Sequence, residues 1–173
     1  MGEQVILVDA EDKPIGTMDK LEAHQKGLLH RAFSVIVLNS KGEFLLQKRA
    51  LEKYHSGGLW TNTCCSHPRP GEDLFKAAER RLKEEMGISC ELVYGFQFTY
   101  KVDFPNGLTE HELDHIFWGW CDTSPEINKL EVEEWKYMTL EQIRKDISIH
   151  PASYTEWFKI LAEKIYRLVN KIE

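Results

Sequence analysis

The chain has no Cys-x-x-Cys spacing, no long apolar run, no excess of positive charge and no internal repeat. Each absence excludes something. The four cysteines are Cys64, Cys65, Cys90 and Cys121. Adjacent Cys64 and Cys65 are poorly placed for an ordinary disulfide, so free thiols and a reducing cytoplasm are expected. No stretch approaches the roughly 18 apolar residues of a membrane-spanning helix. The opening residues, MGEQVILVDAEDKP, carry acids early and lack a basic region, unlike a signal peptide. Ile6 stands where a myristoylation signal needs Ser or Thr. With 22 Lys and Arg against 28 Asp and Glu, the formal charge is −6. That argues against general binding to nucleic acid or a membrane surface, and an anionic small molecule would need a local basic pocket. No linker or low-complexity tract interrupts the 173 residues, 42% of them hydrophobic and 29% charged. One globular domain over 1–173 is expected. Nothing in the pattern specifies an oligomeric state.

Turning to what is present, short apolar runs alternate with turns. Val5 to Val8 reads as a strand closed by a turn at Asp12-Lys13-Pro14, followed by a short helix or loop over 17–26. Ala32–Leu38 and Glu43–Arg49 read as a hairpin about Ser40-Lys41-Gly42. Leu51 to Gly58 is a polar loop. Asp73 to Met86 reads as a helix with Gly87 just past its end. Two long strands, Glu91–Phe104 and Leu108–Trp120, flank the turn Pro105-Asn106-Gly107. A strand follows at Val132–Met138. Thr139 with Gln142, and Ser153 with Glu156, read as capping boxes of two closing helices. In the second of these, Trp157, Leu161, Ile165 and Leu168 recur at helical spacing. The expectation is an α+β fold, a mixed sheet flanked by helices.

Three segments carry chemistry. Cys65-Ser66-His67 sets a thiol two residues before an imidazole, and a thiol pKa falls beside a cation or metal, which suits Cys65 to act as an acid or a nucleophile near neutral pH. An isolated Cys-x-His is also compatible with a buried structural cysteine. On the 73–86 helix, Leu74, Ala78 and Leu82 mark the buried face, and Glu85 falls on it while Arg81 borders it. An inward carboxylate needs a partner or a metal, whereas Glu84 reads as solvated. In Glu110-His111-Glu112-Leu113-Asp114, the three acids share one strand face and repel unless a cation or proton separates them. A charged sheet edge would leave the same pattern. His111 points to the other face.

The helical segment resembles the Nudix box, G-x5-E-x7-R-E-U-x-E-E-x-G-U with U apolar. Anchored on Gly87, the register holds at Glu72, Arg80, Leu82, Glu84, Glu85 and Ile88. Ser66 replaces the first Gly, and Arg81 replaces the first Glu of the R-E-U-x-E-E run. Reversing a charge there weakens metal-assisted hydrolysis and suits holding a phosphate. Over residues 5 to 160 the chain further resembles type 1 isopentenyl-diphosphate isomerases. The residues that carry this are Ala23-His24, His30-x-Ala32-Phe33-Ser34, Gln47-Lys48-Arg49-Ala50, Trp60-Thr61-Asn62, Cys65-Ser66-His67-Pro68, Arg80-Arg81, Glu84-Glu85-Met86-Gly87, Tyr100 and Glu110-x-Glu112.

That resemblance implies a Nudix-like fold and interconversion of isopentenyl and dimethylallyl diphosphate. It implies a first metal site of His24, His30, His67, Glu110 and Glu112, suited to Mn²⁺, Mg²⁺ or Zn²⁺. It implies Glu85 as the ligand of a second ion, Mg²⁺, held against the diphosphate. Lys20, Arg49, Lys53 and Arg81 become the diphosphate clamp. Cys65 and Glu112, the latter supported by Tyr100, become the proton-transfer pair, and Trp157 faces the hydrocarbon end. Two other readings share parts of the pattern. A nucleotide-diphosphate hydrolase accounts for the box but for neither Cys65 nor the strand pair. A silent diphosphate-binding protein would tolerate loss of Cys65 or Glu112, and both are present.

Overall fold

The computed structural model describes residues 2–173. The long third strand organises it. In chain order the elements are β1 (Gln4–Val8), β2 (Pro14–Asp19), α1 (Lys20–Lys26), β3 (His30–Leu38), β4 (Phe44–Arg49), β5 (Trp60–Thr61), β6 (Cys64–Ser66), α2 (Leu74–Met86), β7 (Leu92–Asp103), β8 (Thr109–Trp120), β9 (Val132–Met138), α3 (Leu140–Ile149) and α4 (Glu156–Asn170). A 3-10 turn, Pro151–Ser153, precedes α4.

Strand β3 is apolar on both faces and is buried from Ala32 to Val37, as a strand covered by helices on either side must be. Its odd residues Phe33, Val35 and Val37 pack with Ala77, Ala78, Leu82 and Met86 of α2. Ile36 packs on the opposite face with Trp157, Phe158, Leu161 and Ile165 of α4. The period of two along β3 thus sorts its side chains between two helices, giving the expected mixed sheet flanked by helices.

The β3/β4 hairpin forms only at its root. Leu38 and Phe44 pair, and then the strands separate. Beyond that point β4 runs antiparallel to β9, while β3 runs parallel to β8 and also pairs β6. The gap is closed by polar side chains. Thr63 Oγ1 accepts from the Val37 N–H at 2.9 Å and donates to the Leu45 carbonyl at 2.7 Å, replacing the missing ladder bond. Asn62 Nδ2 donates to the Val35 and Cys64 carbonyls. Local turn chemistry predicts the hairpin; the splay is a tertiary outcome, because β6 takes the edge of β3 that β4 leaves.

Other local expectations change in detail. Residues 14–19 form a strand paired with β1 before the helix begins. The Thr139/Gln142 box is present on α3, but α4 is capped by Thr155, whose hydroxyl accepts from the Phe158 N–H. Ser153 is taken up in the 3-10 turn because Pro151 favours a tight turn there. The apolar stripe of α4 is buried through Ile165, and Leu168 lies exposed beyond the sheet. Among the described residues no helix is long and apolar enough to cross a membrane.

Candidate metal centre and active-site cleft

Strand register assembles the centre of the site. Glu112 of β8 lies opposite His30 of β3 on one side and Tyr100 of β7 on the other. The Tyr100 hydroxyl reaches both carboxylates, at 2.7 Å from Glu110 and 2.6 Å from Glu112. One residue row deeper, Ser34 Oγ donates to Asp114 at 2.8 Å. The three acids of β8 do share a face, and they coexist by different means. Burial and the adjacent Glu112 push Asp114 well above the usual carboxylate range, which favours its protonated form. Burial also penalises charge on Glu110 and Glu112, but their histidine neighbours outweigh it and hold both below the usual range, Glu112 well below.

Those histidines come from separate segments. His24 of α1 sits 3.6 Å from Glu110, His30 sits 3.4 Å from Glu112, and His67 sits 2.8 Å from Glu112. His24 and His30 are fully buried. Each turns its Nδ1 to a backbone carbonyl, of Lys20 at 2.6 Å and of Leu28 at 2.8 Å. That fixes the Nδ1–H tautomer and leaves Nε2 as a lone pair facing the carboxylates with no hydrogen bond of its own. Buried, unpartnered imidazole nitrogens aimed at ionised carboxylates fit a divalent cation. The donor atoms of His24, His30, His67 and Glu112 lie within 4.8 Å of one another. Charge balance differs around the ring. Burial opposes protonation of His24, yet Glu110, the Lys20 carbonyl and Glu112 together raise its pKa, whereas burial prevails at His67 and lowers it.

Beside this cage opens a cleft. Lys20, Arg49, Lys53 and Arg81 all line it, as do Glu85, Cys65, Tyr100, Glu110, Glu112 and Trp157. The anionic molecule that an acidic chain could hold only in a local basic pocket has such a pocket here. Three of these cations are tied to acids: Lys20 to Glu3 at 2.9 Å, Lys53 to Glu131, and Arg81 to Glu84 and Glu85 at 2.7 and 2.6 Å, while Arg49 donates to the His55 carbonyl. Glu85 is buried and is also bound by Gln47 Nε2 at 2.8 Å. Glu84 is exposed, as its position on the helix implies. The box residues Glu72 and Arg80 form a two-pronged ion pair at 2.7 and 3.0 Å that fastens the preceding loop to α2.

The β6 segment puts Cys64 in the α2-side core and Cys65 on the α4 side, at the cleft. The protein groups around Cys65 oppose ionisation of its thiol. Burial pushes Cys65 up to about 12; Arg49 pulls it down, and Glu85, Glu112 and Glu110 push it further up. It is a neutral thiol in this environment, a proton donor rather than a thiolate. Trp157 serves both the core and the cleft, with its ring 5.2 Å from the Arg49 guanidinium. His111 binds the Gly27 carbonyl through Nδ1 and stays outside the cleft. His55 and Tyr54 line the cleft without having been singled out in the sequence, and Gln47 and Ser34, named there only within the resemblance, line it too. His55 follows Lys53 by two in a polar loop, and only its being an imidazole beside a clamp residue could have drawn notice.

A mixed sheet between helices, with a buried acid near the end of α2, defines a Nudix-domain protein, and residues 28–158 match the NUDIX domain. The fold agrees: a Deinococcus radiodurans protein, DR0079, superposes with a TM-score of 0.79 at 18% identity, covering 95% of this chain and all of that one. The MutT protein of Methanosarcina mazei gives 0.65 at 21% identity, covering 80% and 94%. Sequence relatives are much nearer. The isopentenyl-diphosphate Delta-isomerase of Pectobacterium atrosepticum is 51% identical, over 94% of this chain and 90% of that protein. Isopentenyl-diphosphate Delta-isomerase 2 of Photorhabdus laumondii is 53% identical, over 92% and 90%. The chain belongs to the isopentenyl-diphosphate Delta-isomerase family within the Nudix fold.

Proposed function

We infer that this chain is a divalent-metal-dependent isomerase that converts isopentenyl diphosphate to dimethylallyl diphosphate in isoprenoid biosynthesis. The observation that supports it most is the meeting of a neutral thiol, an ionised carboxylate and an indole in one cleft rimmed by four cationic side chains. Moving the double bond by one carbon adds one proton and removes another, so the substrate's composition is unchanged. Cys65 and Glu112 carry those two transfers from different walls, and Tyr100 orients Glu112 through its hydroxyl. The Trp157 ring faces the tertiary carbocation between the two steps, a contribution of roughly 1–2 kcal/mol in a desolvated site. Burial of the acids and of the indole keeps water from trapping the cation.

Lys20, Arg49, Lys53 and Arg81 hold the diphosphate, and Lys20, Lys53 and Arg81 exchange their carboxylate partners for it. His24, His30, His67, Glu110 and Glu112 would hold one ion, Mn²⁺, Mg²⁺ or Zn²⁺, and Glu85 would hold a second, Mg²⁺. Bound there, the ions supply positive charge that lowers the proton affinity of Glu112 and neutralises the diphosphate. The whole chain works as one catalytic domain, because the cleft draws side chains from Lys20 to Trp157. Free cysteines fit a reducing cytoplasm, and the partner is a small diphosphate rather than nucleic acid or membrane.

Proton NMR of isopentenyl diphosphate incubated with the protein and Mg²⁺ tests this. Dimethylallyl diphosphate should appear while a phosphate assay with nucleotide substrates stays flat. Nucleotide hydrolysis without isomer formation would overturn the reading.

A further inference from the structure

One imidazole at the cage was carried there by none of the sequence motifs. We propose that His55 is a further metal ligand of this centre, its Nε2 joining His24 and Glu110. The proposal rests on the metal-centre reading above and enlarges its ligand set.

Placement is the first ground. His55 is buried, and its Nε2 lies 2.6 Å from Glu110 Oε1, an oxygen that also faces His24 Nε2 at 3.6 Å. Despite that proximity His55 Nε2 makes no aligned hydrogen bond. His24, His55 and Glu110 form a second set of donors within 4.8 Å of one another, sharing His24 with the set that contains His30, His67 and Glu112. Donors on one ion with bonds near ~2.1 Å stand about 3 to 4 Å apart, so small adjustments bring this set to bonding distance.

Orientation is the second. His55 turns Nδ1 to Ser56 Oγ at 3.1 Å, stacks on Phe104 at 4.8 Å and 15°, and meets Trp157 edge-on. The pattern repeats that of His24 and His30, with Nδ1 engaged outward and Nε2 left free toward the carboxylates. The loop behind it is tightly built. Ser56 adopts φ 53°, a region that a non-glycine residue enters at a cost. A Cβ on Gly57 would stand 2.4 Å from the Leu51 carbonyl oxygen. Gly58 N–H closes on the Arg49 carbonyl at 2.9 Å. The same loop delivers Lys53 to the cleft, so diphosphate clamp and metal cage share one rigid support. A further nitrogen donor shifts the centre's preference from Mg²⁺ toward a divalent transition ion such as Zn²⁺, Co²⁺ or Mn²⁺.

The test uses the full chain stripped with chelator and reloaded with Zn²⁺. X-ray absorption counts the imidazoles on the ion, and calorimetry gives the affinity. His55→Gln removes the ligand, and His55→Phe removes it while keeping the stack on Phe104, so a folded variant is at hand. Both should show one imidazole fewer than the wild type and at least about tenfold weaker Zn²⁺ binding. An unchanged imidazole count overturns the proposal even if affinity falls, since His55 would then only orient Glu110. His67→Ala serves as the control: if it too leaves metal binding intact, the metal centre itself is wrong, and the two failures are distinguished.

Discussion

Two adjacent thiols meet opposite environments. Cys64 is wholly buried against Phe33, Val35 and Ala78, while Cys65 opens on the cleft opposite Ser34 in the register. Alternation along β6 makes this unavoidable, since only one of two neighbours can face the substrate. Cys65→Ala is expected to abolish isomerisation with circular dichroism unchanged. Cys64→Ala is expected to keep most of the rate and to lose roughly 1 kcal/mol of stability, the scale of a small core deletion. Rate measurements on both variants check it: a dead Cys64→Ala beside an active Cys65→Ala would reverse the assignment of faces. At this scale the sequence was informative about residue type and facing. It left the proton affinity of Cys65 open, because the carboxylates that raise it lie 20 to 47 positions away in the chain.

At the scale of one element, α2 shows why its closing motif has the form it has. Gly87 ends the helix at φ 68°, with its N–H on the Lys83 carbonyl. A Cβ there would stand 2.5 Å from the Glu126 carbonyl oxygen. That close approach lets Glu126 and Asn128 donate their N–H groups to the Met86 and Glu85 carbonyls at 2.9 Å each, closing the helix end. Gly87→Ala therefore combines a left-handed backbone with a backbone clash, and a loss of about 2 kcal/mol or more is expected in urea unfolding. Because Arg81 and Glu85 occupy the last turns, the variant should also bind diphosphate more weakly. Unchanged stability would contradict this account. The helix, its end and its inward acid were legible from spacing alone. The cap of α4 was not, because Ser153 and Thr155 offer equivalent hydroxyls and only the 3-10 turn decides between them.

Across the molecule, a polar cluster ties the first hairpin to the far side of the sheet. Asp12, in the β1–β2 turn, binds Arg31 at 2.8 Å and His115 at 2.9 Å, and Tyr94 meets the other nitrogen of His115 at 3.0 Å. Burial lowers the His115 pKa and Arg31 adds to that, against the pull of Asp12. The folded state therefore holds His115 neutral, while the unfolded chain takes up a proton as pH falls through about 6.5. Stability from this group is complete above that value and is lost as pH falls toward the lowered folded-state pKa. In chelator-containing buffer, urea midpoints should fall between about pH 8 and pH 5.5, with a shallower slope in His115→Gln. An identical slope in the variant would assign the effect elsewhere.

By itself the sequence determined the longer elements, the inward carboxylate of α2, the shared face of Glu110 and Glu112, and, through family motifs, most of the residues that line the cleft. Those features depend on periodicity and on side-chain chemistry, which are local. Only the tertiary structure decided that β3 takes β8 as its parallel neighbour, which sets His30 beside Glu112, and that the loop after β4 folds back to bring His55 to Glu110. Both follow from long-range pairing and burial, where the energy lies between segments distant in the chain and leaves no mark on the spacing within either.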